Sequence, residues 1–212
     1  MQAQADDIPP FWYEPWRWAA PAWYGRYGAP RRHFDCRAQR LVFSGWIECF
    51  DLPRQWRRPA DQRWLPVVLA SPERLQGLAS VLGYIALFRA GVSPALACRS
   101  PIDPWLTLAL KFRDINCMRF HGGVTRLDLS ASHTCGVGVL RAMAQRDWPD
   151  IDSRLAMLIP PPSFDRARHP TEEMQRRQAM QAQTLALESI DVGRCLSLCG
   201  AVTRHASARP VL

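Results

Sequence analysis

The chain has almost no lysine and no long apolar run. Lys111 is the only lysine among 212 residues, so the net charge of +8 comes almost entirely from arginine. An arginine bias also follows from a GC-rich genome, and a basic protein with acidic protein partners explains the charge as well as a nucleic-acid binder does. The longest nearly unbroken apolar run covers residues 78–88, well short of the ~20 residues that cross a bilayer. We therefore expect no membrane-spanning segment.

The cysteines follow no regular framework. There are seven, at positions 36, 49, 98, 117, 135, 195 and 199, and an odd number with irregular spacing argues against a disulfide scaffold. The first residues also lack the basic region and the apolar stretch of a secretory signal. Both observations predict reduced cysteines in the cytosol.

The usual motifs of metal sites are missing. No Cys-x-x-Cys pair occurs. Cys117 and His121 are spaced by one helical turn, and His133 and Cys135 follow, so a four-ligand zinc site of a small metal-dependent enzyme stays open as an alternative. The His-x-Cys spacing is unusual for such a site, and scattered buried thiols are the favoured interpretation.

Signatures of nucleophilic catalysis and of phosphate binding are absent as well. There is no Gly-x-Ser-x-Gly elbow, and nothing in the sequence would activate a histidine–cysteine pair. Residues 135–138, Cys-Gly-Val-Gly, lack the third glycine of a dinucleotide fingerprint and the lysine of a phosphate loop. We interpret them as a turn that enters a helix. Cys195 and Cys199, four residues apart, are interpreted as two cysteines on the apolar face of a helix.

The sequence does contain one strongly marked helix within residues 65–91. Ser71, Pro72 and Glu73 form a helix start, with a hydroxyl N-cap, a proline in the first turn and an acid near the positive end of the helix dipole. Gly91 is the predicted C-cap. The helix is apolar around most of its circumference, so we expect it in the middle of a core. One apolar face is formed by Leu75, Leu78, Ala79, Leu82, Ile85 and Ala86.

The same helix carries a strip of small residues, Gly77, Ser80 and Gly83, where another helix is able to approach closely. Further helices are predicted around it by apolar periodicity and by start and stop residues. They are a short buried helix over 41–50, a helix that starts at Asp103-Pro104, and a helix over 136–147 that ends at Trp148-Pro149. Residues 125–130 alternate polar and apolar side chains, which is compatible with a short strand or a turn.

These elements predict a mainly α fold, a single irregular helical domain with a C-terminal helical extension. Residues 1–34 form an arm rich in aromatic residues and proline, residues 35–162 the helical core domain, and residues 163–212 an Arg/Gln-rich helical tail. The run Pro160-Pro161-Pro162 marks the boundary before the tail. We interpret the tail as a peripheral or partner-docking helix that reaches about residue 198, and expect residues 201–212 to be loose.

Two regions are candidates for contact with a partner. The rings of the arm either pack onto the helical body or form an exposed aromatic anchor; packing is favoured, because so many exposed rings would promote aggregation. The second region is a proline-broken basic segment, residues 52–64, which we name the arginine loop. The candidate partner contacts are Trp12, Trp16, Arg54, Arg57 and Arg58.

Taken in order, these features form a pattern over residues 10–162. The aromatic arm leads to a short hydrophobic helix that ends in Phe50-Asp51-Leu52. Then come Leu65-Pro66, the central helix with Arg89 at its end, and a second helix over 105–118. The pattern closes with Leu140, Asp147-Trp148-Pro149, Arg154-Leu155, Leu158 and Pro160. This order resembles the SctK/YscK family, accessory proteins of the type III secretion sorting platform.

The resemblance implies a non-enzymatic, mostly helical adaptor that carries no cofactor. Family members lie in the cytoplasm beneath the inner membrane. There they link the cytosolic domain of the inner-membrane ring protein SctD to the pod protein SctQ, and they are needed for effector export. The resemblance thus implies these two partners, no nucleic acid and no membrane span. The alternative is a basic nucleic-acid-binding regulator, suggested by the charge and by Arg57-Arg58 and Arg176-Arg177, although no helix-turn-helix with an arginine-bearing recognition helix is evident.

Overall fold

The computed structural model describes residues 9–24, 36–92, 104–116, 129–160 and 192–207. All regular secondary structure in these ranges is helical, which confirms the predicted mainly α fold. The α-helices are α1 (Pro10–Tyr13), α2 (Cys36–Phe50), α3 (Leu65–Val68), α4 (Pro72–Arg89), α5 (Pro104–Lys111), α6 (Leu129–Asp147), α7 (Asp152–Ala156) and α8 (Val192–Ser207), with short 3-10 turns at Pro15–Arg17, Pro21–Trp23, Gln62–Trp64 and Pro149–Ile151. Within the described ranges, no helix combines the length and the hydropathy of a membrane crossing.

Helix α4 begins and ends where the sequence predicts. The Ser71 hydroxyl accepts a hydrogen bond from the backbone N–H of Arg74 (3.4 Å), so Ser71 is the N-cap. At the other end Gly91 has φ +89°, and the N–H of Val92 donates to the carbonyl of Leu87 (3.1 Å). This arrangement is a Schellman motif, which a glycine closes without strain.

α4 is the centre of the core, and α6 crosses it so closely that backbone meets backbone. Every residue from 77 to 87 is buried. A β-carbon on Gly83 would overlap the carbonyl of Ser132, and a β-carbon on Gly136 would overlap the carbonyl of Ala79. Any larger residue at either position would push the helices apart. The close approach predicted from the small residues of α4 is therefore confirmed at Gly83.

The start of α6 differs from the prediction. The helix begins at Leu129 and not at Gly136. Gly136 lies inside the helix, where its missing side chain admits α4, so the turn predicted for residues 135–138 is wrong. Of the segment 125–130, residues 129 and 130 are helical, while residues 125–128 lie outside the described ranges. The error arises because a glycine pair in a sequence marks a turn and a close helix contact equally well.

α5 packs against α4 at Gly77. A β-carbon on Gly77 would lie 2.8 Å from the ring of Trp105, so the glycine makes room for the indole. α5 begins at Pro104, as predicted, and ends at Lys111, before the predicted end. Asp103, the predicted N-cap, lies outside the described residues.

α8 lies in the core, so the prediction of a peripheral helix is wrong for this segment. The helix runs on to Ser207, through the first part of the end expected to be loose. It contacts α3 and α4, and the Cys199 thiol donates to the carbonyl of Pro66 (3.2 Å). The tail sequence has few apolar residues before Leu185, which favoured a peripheral helix. The buried residues come later: Val192, Cys195, Leu196, Leu198, Cys199 and Val202.

The described part of the arm, residues 9–24, packs onto the helical body. The indole N–H of Trp18 donates to the carbonyl of Ala70 (3.2 Å), and that of Trp23 donates to the carbonyl of Ile159 (2.8 Å). Each bond satisfies the polar end of a ring that is partly buried against the body. Of the two interpretations of the arm, packing onto the body is the correct one for these residues.

α2 is longer and more exposed than the predicted buried helix over 41–50. It begins at Cys36, and the side chain of Leu41 is 68% exposed. It is held through Trp46 and Ile47, which are buried. These two join a second, smaller cluster with Trp16, Ala19, Leu52 and Met157.

The contact between α4 and α6 predicts a strong effect of alanine at Gly83. We expect Gly83→Ala to lower the free energy of unfolding by about 3 kcal/mol, because the new β-carbon forces two backbones apart. The matched control is Gly138→Ala on α6, where nothing lies within 4 Å of a new β-carbon. This control should be neutral or stabilising by up to about 1 kcal/mol, since alanine favours a helix. Urea unfolding followed by circular dichroism measures both, and equal stabilities would show that the helices do not meet at Gly83.

Candidate interaction surface

The five predicted partner contacts divide between the interior and the surface. The ring of Trp12 is fully buried, and Trp16 is 8% exposed. Arg54, Arg57 and Arg58 are exposed on the arginine loop. In this fold the two indoles present no surface to a partner, because burial removes their large apolar area from water. The candidate surface is therefore the arginine loop.

Tryptophan rings hold the arginine loop against the body. Trp56, in the middle of the loop, packs edge-on against Trp12 (5.1 Å between ring centroids) and Trp148 (5.6 Å). Trp64, at the end of the loop, is fully buried and also contacts Trp148 (6.3 Å). Such ring pairs each add about 0.5–1.5 kcal/mol beyond the burial of their area. The loop is irregular in backbone but fixed in position.

A buried arginine ties the arginine loop to the arm. Arg154 of α7 is 1% exposed, and its Nη2 donates to the carbonyls of Pro53 (2.9 Å) and Trp12 (3.1 Å). Its guanidinium carbon lies 3.7 Å from the centre of the Trp12 ring, in a cation–π contact. This role was not predicted from the sequence. The only signal was an arginine at the start of a short apolar segment.

The charge of Arg154 has no ion-pair partner among the described residues. Burial lowers the pKa of Arg154 to about 9, and the nearby charge of Asp150 opposes that shift. The guanidinium therefore stays charged at neutral pH. Within the described part of the chain its Nε and Nη1 have no hydrogen-bond partner. The two carbonyls and the Trp12 face offset the cost of desolvating the group.

Arg57 and Arg58 are the unpaired charges of the arginine loop, since no acid in the described ranges pairs with either. The other two arginines of the loop are paired, Arg54 with Glu48 (3.4 Å) and Arg63 with Asp61 (2.7 Å). The hydrogen bonds from Arg63 lower the pKa of the Asp61 carboxyl below its usual value. The exposed face of the loop thus carries two arginines in ion pairs, Arg54 and Arg63, and two without an acidic partner among the described residues, Arg57 and Arg58.

The residues of the alternative zinc site are only partly described. Cys117 and His121 lie outside the described residues. His133 Nε2 lies 3.2 Å from the carbonyl oxygen of Leu158. Burial raises the pKa of the Cys135 thiol to about 11, so the thiol stays protonated at neutral pH. Among the residues that can be described, no three metal-ligating side chains come together.

Comparison of the chain with models of known protein families, with curated proteins and with solved structures found no match.

The hydrogen bonds of Arg154 to the arm and to the arginine loop predict a large effect of Arg154→Ala. We expect the free energy of unfolding to fall by about 3 kcal/mol, because one buried and one partly buried carbonyl lose their donor and a cavity opens beside Trp12. Arg57→Ala, which removes an exposed arginine, is the control and should stay within about 0.5 kcal/mol of the native chain. Urea unfolding measures both. An Arg154→Ala variant as stable as the control would mean that desolvation outweighs the contacts.

The burial of Cys135 predicts selective protection of its thiol. In the native protein at about pH 8, iodoacetamide should modify the exposed Cys49 and leave Cys135 unmodified, since alkylation needs an accessible thiolate. Mass spectrometry of the digested protein measures both sites. In urea the two thiols should react alike. Equal rates without urea would show that α6 opens readily.

Proposed function

We propose that this chain is a non-enzymatic adaptor of a bacterial type III secretion sorting platform. In this role it links the cytosolic domain of the inner-membrane ring protein SctD to the pod protein SctQ, and effector export depends on it. It lies in the cytoplasm, peripheral to the inner membrane through these partners. The observation that carries the proposal is the ordered pattern of residues 10–162 with the central helix α4 in its middle.

The same elements that carry the resemblance also build the rigid body that an adaptor needs. Leu82 lies in the buried centre of α4. Leu140 on α6 and Leu155 on α7 belong to the same core cluster. Trp148, in the acidic-proline turn of the pattern, supports the arginine loop through Trp56. A rigid body that presents a fixed loop suits an adaptor, because little conformational entropy is lost when the loop binds.

The arginine loop supports a protein partner better than a nucleic acid. Arginine is enriched in protein interfaces, where its planar group bonds to carboxylates and carbonyls. The acids Glu48 and Asp61 lie beside arginines of the loop. Because these acids neutralise Arg54 and Arg63, only Arg57 and Arg58 remain to bind a phosphate backbone, whereas a protein surface with mixed charges is able to match the paired and the unpaired groups.

Charge reversal at the two unpaired arginines tests the proposal. Candidate ring and pod domains are co-purified with the native chain and with the double variant Arg57→Glu/Arg58→Glu. We expect both domains to be retained by the native chain, and the double variant to bind one of them about tenfold or more weakly. Arg113→Glu, at an exposed arginine outside the loop, is the control. All three chains should unfold at the same urea concentration.

Two outcomes would contradict the proposal. One is clean separation of the folded native chain from both candidate domains. The other is binding of duplex DNA or RNA with a steep salt dependence that the double variant loses, because such a slope reports contacts to phosphates. That second result would favour the nucleic-acid-binding alternative.

A further inference from the structure

A groove runs along the arm and is lined by residues outside the arginine loop. It consists of two adjoining clefts of about 550 Å³ and 380 Å³. Both are lined by Arg17, Trp18 and Pro72, so Trp18 and its neighbours form the wall between them. Both clefts are broadly open to solvent. We name these two clefts the arm groove.

The wall of the arm groove is fixed in place. The indole N–H of Trp18 donates to the carbonyl of Ala70 (3.2 Å), and its ring packs edge-on against Phe11 (5.4 Å). The Trp18 face is therefore a preformed apolar surface. At the edge of the smaller cleft, the side chain of Leu69 is 62% exposed. A ligand that covered Leu69 and the Trp18 face would remove apolar area from water at both.

The charged side chains that line the arm groove are basic. Arg17 and Arg74 both line the smaller cleft, and among the described residues no acidic side chain lines either cleft. Glu14 lies outside and holds Arg17 through an ion pair of 2.8 Å, which leaves the Arg17 side chain 59% exposed. No acid among the described residues lies within ion-pair distance of Arg74. The neighbouring Glu73 carboxyl is bound by a backbone N–H and by Ser71, and these bonds together with the charge of Arg74 lower its pKa. A carboxylate in the smaller cleft would thus meet two guanidinium groups.

We infer that the arm groove binds a segment of a partner protein in which a carboxylate lies next to a branched apolar side chain. The apolar side chain packs on Trp18 and Leu69, and the carboxylate is bound by Arg74 with Arg17 beside it. A nucleobase would stack on the Trp18 face, but the branched side chain of Leu69 offers it no flat partner. A protein segment is able to cover both residues with one branched apolar side chain. This ligand chemistry holds for any partner. Only its assignment to a platform protein rests on the proposed function.

The test uses N-acetyl-leucine, which carries a carboxylate beside a leucine side chain, as the probe. Its amide, N-acetyl-leucinamide, has the same apolar group without the charge and is the matched control ligand. The full chain, labelled with nitrogen-15, is titrated with each, and the indole N–H resonance of Trp18 is followed. The variant Trp18→Phe assigns that resonance. We expect a saturable shift with the carboxylate and at least about tenfold weaker binding of the amide.

Substitution of the groove arginine completes the test. Arg74→Gln should weaken the binding of N-acetyl-leucine about tenfold, because it removes one charged donor and keeps much of the side-chain length. Arg113→Gln, outside the groove, should bind like the native chain. The inference is overturned if the Trp18 resonance does not move, if acid and amide bind equally, or if Arg74→Gln binds as the native chain does.

A second copy of the chain is the competing occupant. Sedimentation of the native chain and of Leu69→Asp separates the two cases. A native dimer that Leu69→Asp dissociates would place another copy in the arm groove and overturn the inference. If the native chain and Leu69→Asp are both monomeric, the result agrees with the inference. Failure of the probe to bind leaves the experiment on the arginine loop unaffected, so the two proposals fail separately.

Discussion

The backbone contact between α4 and α6 is the constraint on which the rest of the structure depends. At Gly83 and Gly136 each helix lies against a carbonyl of the other, at a distance that no side chain would allow. The helix partners of α4 also include α5 and α8, so its position fixes theirs. A close-packed interior of this kind transmits a small displacement to all its neighbours, because it has few voids to absorb the change.

Outside this centre, the arm and the arginine loop are held by a cluster of tryptophan rings around one buried charge. Arg154 donates to a carbonyl of each segment and stacks on Trp12. A charge so placed is costly, and it is tolerated because hydrogen bonds and a ring face replace part of its hydration. The result is an irregular surface with a fixed backbone. The arginine loop and the arm groove are both supported by this same arm.

The sequence predicts those features of the fold that depend only on residues close together in the chain. The bounds of α4 follow from Ser71 and Gly91, whose capping roles depend on a few neighbouring residues. The start of α6 could not be predicted, because a glycine such as Gly136 is typical of a turn. Its contact with Ala79 on α4 is visible only in the fold. The role of Arg154 was equally hidden, since its bond to Trp12 joins residues 142 positions apart. For the candidate surface, the exposed arginines and the packing of the arm were predicted. Trp12 and Trp16 were nevertheless taken as partner contacts, because one sequence does not display which rings of the arm are buried.

The proposed role requires one rigid body that holds two proteins at the same time. The most direct measurement is sedimentation velocity of the chain mixed with the cytosolic domain of a ring protein and with a pod protein. We expect a single species that contains all three components, with each pairwise mixture giving a smaller complex. Mutually exclusive binding of the two domains, or no complex with either, would contradict it.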